Sequence, residues 1–193
     1  MNFNYKLISS VEKFIENSKL KEISIGCSNS QVFKIIKDNN TFFLKIAKSG
    51  LLTSEYEKLI WLQGKLNVPK IVLYKKTSNT EYLITESIEG KMVCDDYYIN
   101  NPDIGIEVIA QAFSQIASVP VNDCPFDVSI DYKIKLVKNN VIKNNLTEKD
   151  LKPETLERFH TVSNLIEYLA NNKFYDEKHF SHGDTSLPNI FLL

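Results

Sequence analysis

His182-Gly183-Asp184-Thr185-Ser186-Leu187-Pro188-Asn189 is the stretch that decides the reading of this chain. It places Asp184 and Asn189 with four residues between them, in a loop flanked by two short apolar segments that read as strands. A carboxylate in such a loop accepts a hydrogen bond from an attacking hydroxyl and orients it, while an amide oxygen can hold a magnesium ion against phosphates. Phosphoryl transfer is mostly positioning and charge neutralisation. Because the hydroxyl proton leaves late in a loose transition state, a weakly basic carboxylate suffices and no His base is required. The same residues also read as a plain turn at Gly183-Asp184 with Asn189 entering a strand.

Composition narrows the classes around that loop. The chain has 193 residues, 43% hydrophobic and 24% charged, with a formal net charge of -1. This is the profile of one globular domain or two small lobes. With Lys and Arg mixed among Asp and Glu there is no basic footprint, which argues against nucleic acid or an anionic membrane as partner. No apolar run approaches a membrane span, and the opening Met1-Asn2-Phe3-Asn4-Tyr5-Lys6 lacks the apolar core of a secretory signal. The expectation is a soluble, cytoplasmic protein with no obligate protein partner. Cys27, Cys94 and Cys124 are odd in number and far apart, so they read as free thiols.

Leu7, Ile8, Val11, Phe14 and Ile15 recur at helical spacing and predict a first helix ending near Asn17. Strand signals follow at Ile23-Ser24-Ile25, Gln31 to Lys37 and Thr41 to Ala47, with Asp38-Asn39-Asn40 as the turn of an antiparallel meander. Ser54 and Glu57 have capping-box spacing ahead of a helix carrying Tyr56, Leu59, Ile60 and Leu62, which Pro69 is expected to stop. Strands at Lys70 to Lys75 and Glu81 to Ser87 flank the turn Thr77-Ser78-Asn79-Thr80. After Gly90 the pattern turns helical. Asn101 and Pro102 open a helix with the stripe Ile104, Val108, Ile109, Ala112, Phe113 and Ile116. Weaker helical signals run from Ser129 to Asn144, and Pro153 opens a single strong helix with Leu156, Phe159, Ile166 and Leu169. Residues 178 to 193 read as strand, loop and strand. The fold class is therefore α+β in two lobes, an antiparallel-sheet lobe over 1–88 and a mostly helical one over 89–193.

Further candidates precede the loop in chain order. In the strand Thr41 to Ala47, Phe43, Lys45 and Ala47 share one face while Phe42, Leu44 and Ile46 share the other. A Lys among apolar neighbours wants an anion. Phosphate oxygens would supply one, and Phe43 could cover a purine; taken in isolation, a Lys on a half-solvated sheet reads more readily as a surface residue. Ten residues on, Glu55 could pair with Lys45, although any acid is favoured in the first turn of a helix and Glu57 competes for the role. Glu57 is assigned to the capping box and Glu55 to the pair. Gly26-Cys27-Ser28-Asn29-Ser30 could turn backbone N–H groups and the Ser28 hydroxyl toward phosphates, or be an ordinary hairpin. His179 and His182, three apart, invite a metal reading that no further Cys or His nearby supports, so His182 is taken to brace the loop and His160 to be structural.

The ordered set Lys45, Glu55, a linker from Thr85 to Gly90 and the loop from His182 to Asn189 resembles the aminoglycoside O-phosphotransferases of the 3′ type, antibiotic kinases with a protein-kinase-like fold. Trp61-Leu62-Gln63-Gly64-Lys65-Leu66 with Val68-Pro69 is similar to a segment of that group, as is Val119-Pro120-Val121-Asn122-Asp123-Cys124-Pro125-Phe126. The resemblance covers essentially the whole chain. It implies that Asp184 is the catalytic base and Asn189 a magnesium ligand, with Lys45 on the α- and β-phosphates and Glu55 as its partner. It further implies Phe43 stacked on adenine, Ser28 on phosphate, and the backbone of Glu86 and Ile88 hydrogen-bonded to adenine. ATP and Mg2+ are the implied cofactors, and the implied reaction is transfer of the γ-phosphate to the 3′-hydroxyl of kanamycin- or neomycin-like aminoglycosides, which abolishes their binding to the ribosome.

Two departures stand out. Ile116-Ala117 replaces a Leu-His of many relatives, a packing difference. Relatives also continue past this loop with a second metal-binding Asp and with acidic substrate contacts, whereas this sequence stops at Leu193. That implies an incomplete second lobe, an unpartnered last strand, poor charge neutralisation at the phosphates and a marginally stable chain. A catalytically inactive nucleotide-binding remnant is therefore one alternative reading. Another small-molecule kinase of the same fold, acting on choline, a hexosamine or an amino alcohol, is the other, though Thr185-Ser186-Leu187-Pro188 follows the antibiotic pattern.

Overall fold

The computed structural model describes residues 3–23, 30–173, 177–181, 183 and 189–192, and the structural statements below concern these. The alternation of apolar residues after residue 30 builds β2 (Gln31–Lys37) and β3 (Asn40–Lys48), paired antiparallel. Only Asp38 and Asn39 join them, both at positive φ (49° and 63°). Those are the left-handed conformations a two-residue type I′ hairpin demands, and short polar side chains tolerate them. β1 (Lys19–Ile23) pairs with β2, β5 (Thr80–Glu86) with β3, and β4 (Ile71–Lys76) with β5, in a five-stranded antiparallel sheet ordered β1-β2-β3-β5-β4. The first strand thus starts at Lys19 and not at Ile23, because Leu20 already packs on the core.

One face of the sheet presents Phe33, Ile35, Leu44, Ile46, Tyr82 and Ile84, which enclose Val11 of α1 (Ser9–Ile15) in a fully buried core. Each of these large side chains is worth about 1.5–3 kcal/mol when removed from water, which makes this cluster the main store of stability in the sheet. The opposite face carries Ala47 and Leu83, packed with Leu52, Tyr56 and Leu59 around α2 (Thr53–Leu62). α2 ends at Leu62, well before Pro69, and Gly64 at φ 76° turns the chain away.

The expected capping box of α2 is absent. Leu52 occupies the N-cap position and no side chain within the helix caps it. The cap comes from another strand: Glu81 of β5 accepts the Leu52 N–H at 2.6 Å and the Thr53 N–H at 3.0 Å through Oε2. Its Oε1 accepts from the Thr53 hydroxyl, from Tyr74 Oη at 3.1 Å and from Lys76 Nζ at 3.0 Å. Glu81 is entirely buried. Burial pushes its carboxyl up, but the Thr53 hydroxyl, the Leu52 amide, the Lys76 ammonium and the Gly50 amide outweigh burial and hold it at about 2, against an ordinary 4.5. Tyr56 and Tyr74 stack beside it with ring centroids 3.8 Å apart, closing the site from the α2 side.

The chain divides into two compact units, residues 1–119 with 180–193, and residues 120–179. In the first, β5 leads to β6 (Lys91–Met92), to the short α3 (Asp96–Ile99) and to α4 (Pro102–Ala117). Pro102 opens α4 as expected, but the Asn101 side chain donates back to the Tyr97 carbonyl instead of capping. Of its stripe, Val108 is buried and Ile109 and Ala112 pack beside it, whereas Ile104 and Phe113 are exposed. The last strand is not left alone. β7 (Phe191–Leu192) pairs antiparallel with β6, and Ile190 is buried against Val93, Tyr98 and Val108. No strand forms over 178–181.

In the second unit, α5 (Ile130–Ile142) packs Ile134 against Val162 and Ile166. The single helix expected from Pro153 is two, α6 (Pro153–Phe159) and α7 (Val162–Asn171). His160 sits at φ 62° between them, and the Thr161 hydroxyl caps α7 by accepting the Asn164 N–H. The Thr161-Val162-Ser163-Asn164 signal was hidden within a continuous apolar period.

A carboxyl whose folded pKa lies below its unfolded value stabilises the protein fully above the unfolded pKa and progressively less as pH falls toward the folded one. Glu81 is therefore expected to contribute on the order of 3 kcal/mol at neutral pH, lost between about pH 4.5 and pH 2. Urea unfolding against pH should show this slope in the wild type, and Glu81→Gln should flatten it.

Candidate functional site

β3 delivers Lys45 to the face that α2 covers. Its register neighbours are Val32 on β2 and Leu83 on β5, and Phe43 stands on the same face between Lys34 and Thr85. The helix that begins behind β3 carries Glu55 in its first turn. Lys45 Nζ lies 2.7 Å from Glu55 Oε1, so the pairing expected from sequence is present as a contact. One N–H of the ammonium points at the carboxylate and the others remain to meet an anion. Both side chains keep about a third of their surface exposed, at 36% and 37%. A ligand can reach such a pair, and solvent screening leaves it little weight in stability.

From β5 the chain runs on into residues 87–90, a stretch without regular structure. The Glu86 N–H donates to the Lys70 carbonyl at 2.9 Å and the Ser87 N–H to the Thr41 carbonyl at 3.0 Å. The first holds the end of β5 beside the start of β4, and the second anchors the linker to β3. What Glu86 offers a ligand is its carbonyl, since its amide is engaged. The Ile88 carbonyl accepts the Ser87 hydroxyl at 3.2 Å, which makes the Ile88 N–H the group available for donation.

Asn189 is exposed and immediately precedes the buried Ile190, so the β6–β7 ladder fixes its backbone. Its amide oxygen is the hard donor magnesium prefers, which fits the expected role in kind. Among the described residues, no group of three or more His, Cys, Asp or Glu gathers where it could hold a metal ion. Of the two histidines considered for zinc, His179 is exposed and pairs loosely with Glu177 at 3.8 Å. Asp184, Ser28 and His182 lie outside the described residues. Cys94 and Cys124 are unpaired thiols. No helix among the described residues is long and apolar enough to cross a membrane.

The structure thus brings Lys45 and Glu55 together, with Phe43 on the same face of β3 and the linker leaving the end of β5. A profile of the phosphotransferase enzyme family matches residues 19–193. The chain belongs to that family. Among the relatives in this family, an aminoglycoside 3′-phosphotransferase of Acinetobacter baumannii is 28% identical over 191 residues, 94% of this chain and 73% of that protein. One of Campylobacter jejuni is 29% identical over 93% of this chain and 74% of its own length. A probable aminoglycoside 3′-phosphotransferase of Lactococcus lactis subsp. lactis is 30% identical over 94% and 71%. The crystal structure of an aminoglycoside-3′-phosphotransferase of type VIII superposes with a TM-score of 0.69 at 21% identity, over 95% of this chain and 69% of that one. A ternary complex of the phosphotransferase APH(4)-Ia with AMP-PNP and hygromycin B gives 0.67 at 15% identity, over 95% and 67%. These likenesses establish the α+β fold of the family's solved structures.

Sequence reading overlooked Glu81. The signal was there: period 2 places it on the face of buried Leu83, with Tyr74 and Lys76 opposite in β4, and a carboxylate on a buried face requires partners.

Because the Lys45–Glu55 pair is screened, Lys45→Met and Glu55→Gln are each expected to change unfolding free energy by less than about 1 kcal/mol. Guanidinium titrations of the two variants provide the check, and a loss of several kcal/mol would mean the pair is mainly structural.

Proposed function

We propose that this phosphotransferase transfers the γ-phosphate of ATP to the 3′-hydroxyl of a kanamycin- or neomycin-type aminoglycoside, conferring resistance, and that it works in the cytoplasm, where the ribosome is the drug's target. In this reading residues 1–88 form the nucleotide-binding lobe and residues 89–193 the lobe that carries the catalytic loop. The observation that carries the proposal is the 2.7 Å Lys45–Glu55 pair, exposed enough for phosphate to reach, in a chain whose relatives bear the name of this reaction.

Each residue then has a part set by its chemistry. Lys45, oriented by Glu55, neutralises α- and β-phosphate oxygens with its remaining N–H bonds. Phe43 stacks on adenine, the Glu86 carbonyl accepts from the exocyclic amine, the Ile88 N–H donates to a ring nitrogen, and Ser28 donates to phosphate. Asp184 accepts a hydrogen bond from the 3′-hydroxyl and aims its oxygen in line with the γ-phosphorus. The new P–O bond forms as the β,γ-bridging P–O bond breaks, and the hydroxyl proton passes to the Asp184 carboxylate. Asn189 would hold the Mg2+ that accompanies ATP, whose charge offsets that of the β- and γ-phosphates.

Transfer of labelled phosphate from ATP to kanamycin, with the product's phosphate located by NMR, tests the proposal. Modification at the 3′-oxygen is expected, with kcat reduced by about 10²-fold or more in Asp184→Asn. Phosphorylation of choline or a hexosamine in place of kanamycin would reassign the substrate. AMP-PNP binding by a folded chain that transfers no phosphate to any of them would establish a nucleotide-binding protein without this activity.

A further inference from the structure

Glu81 has no part in the reaction just described, yet it is the most heavily engaged carboxylate among the described residues. Its position relates it to the phosphate site. In the β3–β5 register Ala47 faces Glu81 and Lys45 faces Leu83, so the carboxylate and the ammonium project from the same side of the sheet one pleat apart. On the helix side, Glu81 binds the N–H groups of Leu52 and Thr53 and the Thr53 hydroxyl, while Glu55 follows two residues later in the same first turn.

We propose that Glu81 is a positioning residue for the Lys45–Glu55 pair: it clamps the first turn of α2 to β4 and β5 and so fixes where the Glu55 carboxylate stands. The inference rests on the phosphoryl-transfer reading of that pair. The physical argument is that α2 has no cap of its own. A helix N-terminus exposes N–H groups that no intrahelical carbonyl can satisfy, and an uncapped first turn frays. Glu55 lies in that turn and Lys45 on a rigid strand, so fraying moves the first relative to the second. Tyr74 Oη and Lys76 Nζ hold the other carboxylate oxygen, which keeps the clamp from rotating. Gly50, at φ 97°, turns the chain between β3 and the first turn of α2.

The test reads Lys45 directly. Brief acetic anhydride labelling of the intact chain, followed by peptide mass spectrometry, reports how well Glu55 protects the Lys45 amine, and AMP-PNP titration reports affinity. Glu81→Gln is expected to raise Lys45 labelling several-fold and to weaken AMP-PNP by a similar factor. In a Glu55→Gln background, adding Glu81→Gln should change neither quantity further, although it still lowers stability. A merely structural Glu81 would lower stability alike in both backgrounds and leave Lys45 labelling in the folded protein unmoved. Should Glu81→Gln fail to fold, Thr53→Val removes one arm of the clamp and is expected to move both readouts in the same direction. Unchanged labelling and affinity in a folded variant overturns the inference while leaving the phosphoryl-transfer reading standing. A wild type that binds no AMP-PNP, with labelling still responsive to Glu81→Gln, overturns that reading and with it the nucleotide role inferred for the clamp.

Discussion

A buried carboxylate meeting the bare end of a helix is the constraint on which this site depends. Taken out of water without partners, an ionised Glu costs several kcal/mol, and the N–H groups at the start of α2 are costly to bury unsatisfied. Glu81 and the first turn of α2 resolve both costs together. The exchange ties the helix to Glu81 of β5 and, through it, to Tyr74 and Lys76 of β4, a hydrogen-bonded strand pair that the main core holds from the other side through Leu73, Tyr82 and Ile84. The face that carries Lys45 is thereby tied to the first turn of α2.

Much of this was legible in the sequence because it is local. The Asp38-Asn39 hairpin, the two faces of β3, Pro102 at the start of α4 and the Lys45–Glu55 pairing follow from period, turn chemistry and spacing. Where the reading failed, a distant residue had replaced a local signal. Ser54 and Glu57 have the right spacing for a capping box, but the helix begins at Thr53, before Ser54, and Glu81, far along the chain, takes the Leu52 and Thr53 N–H groups instead. The break at His160 was masked because Leu156, Phe159 and Ile166 keep helical period across it. β6 is too short to carry a period at all, and exists because β7 supplies its partner. The site followed the same rule: Lys45, Glu55 and Phe43 lie on adjoining elements and could be paired on paper, whereas Glu81 acquires meaning only once β4, β5 and α2 are assembled.

Lys45 and Asn189, the two residues proposed to meet the phosphates and their Mg2+, are held by different means. Lys45 is set by a wide sheet and a packed core. Asn189 is set by a ladder of two residue pairs and by Ile190 in the small cluster with Val93, Tyr98 and Val108. A shallow anchorage of that kind opens more readily than the five-stranded sheet does, so hydrogen exchange should be faster in the β6–β7 ladder than in β3.

The β6–β7 ladder also has a consequence for the order in which the molecule can be made. It joins residues 91 and 92 to 192 and 191, and the whole of the second compact unit, residues 120–179, is strung between them. The first unit is therefore discontinuous in sequence. During synthesis its sheet can close as soon as β5 has left the ribosome, but its last ladder must wait for roughly a hundred further residues, a separation at which closure is slow and entropically costly. Folding of α5 to α7 within that interval shortens the effective loop. β7 thus rejoins a sheet-bearing unit whose strands were finished long before it.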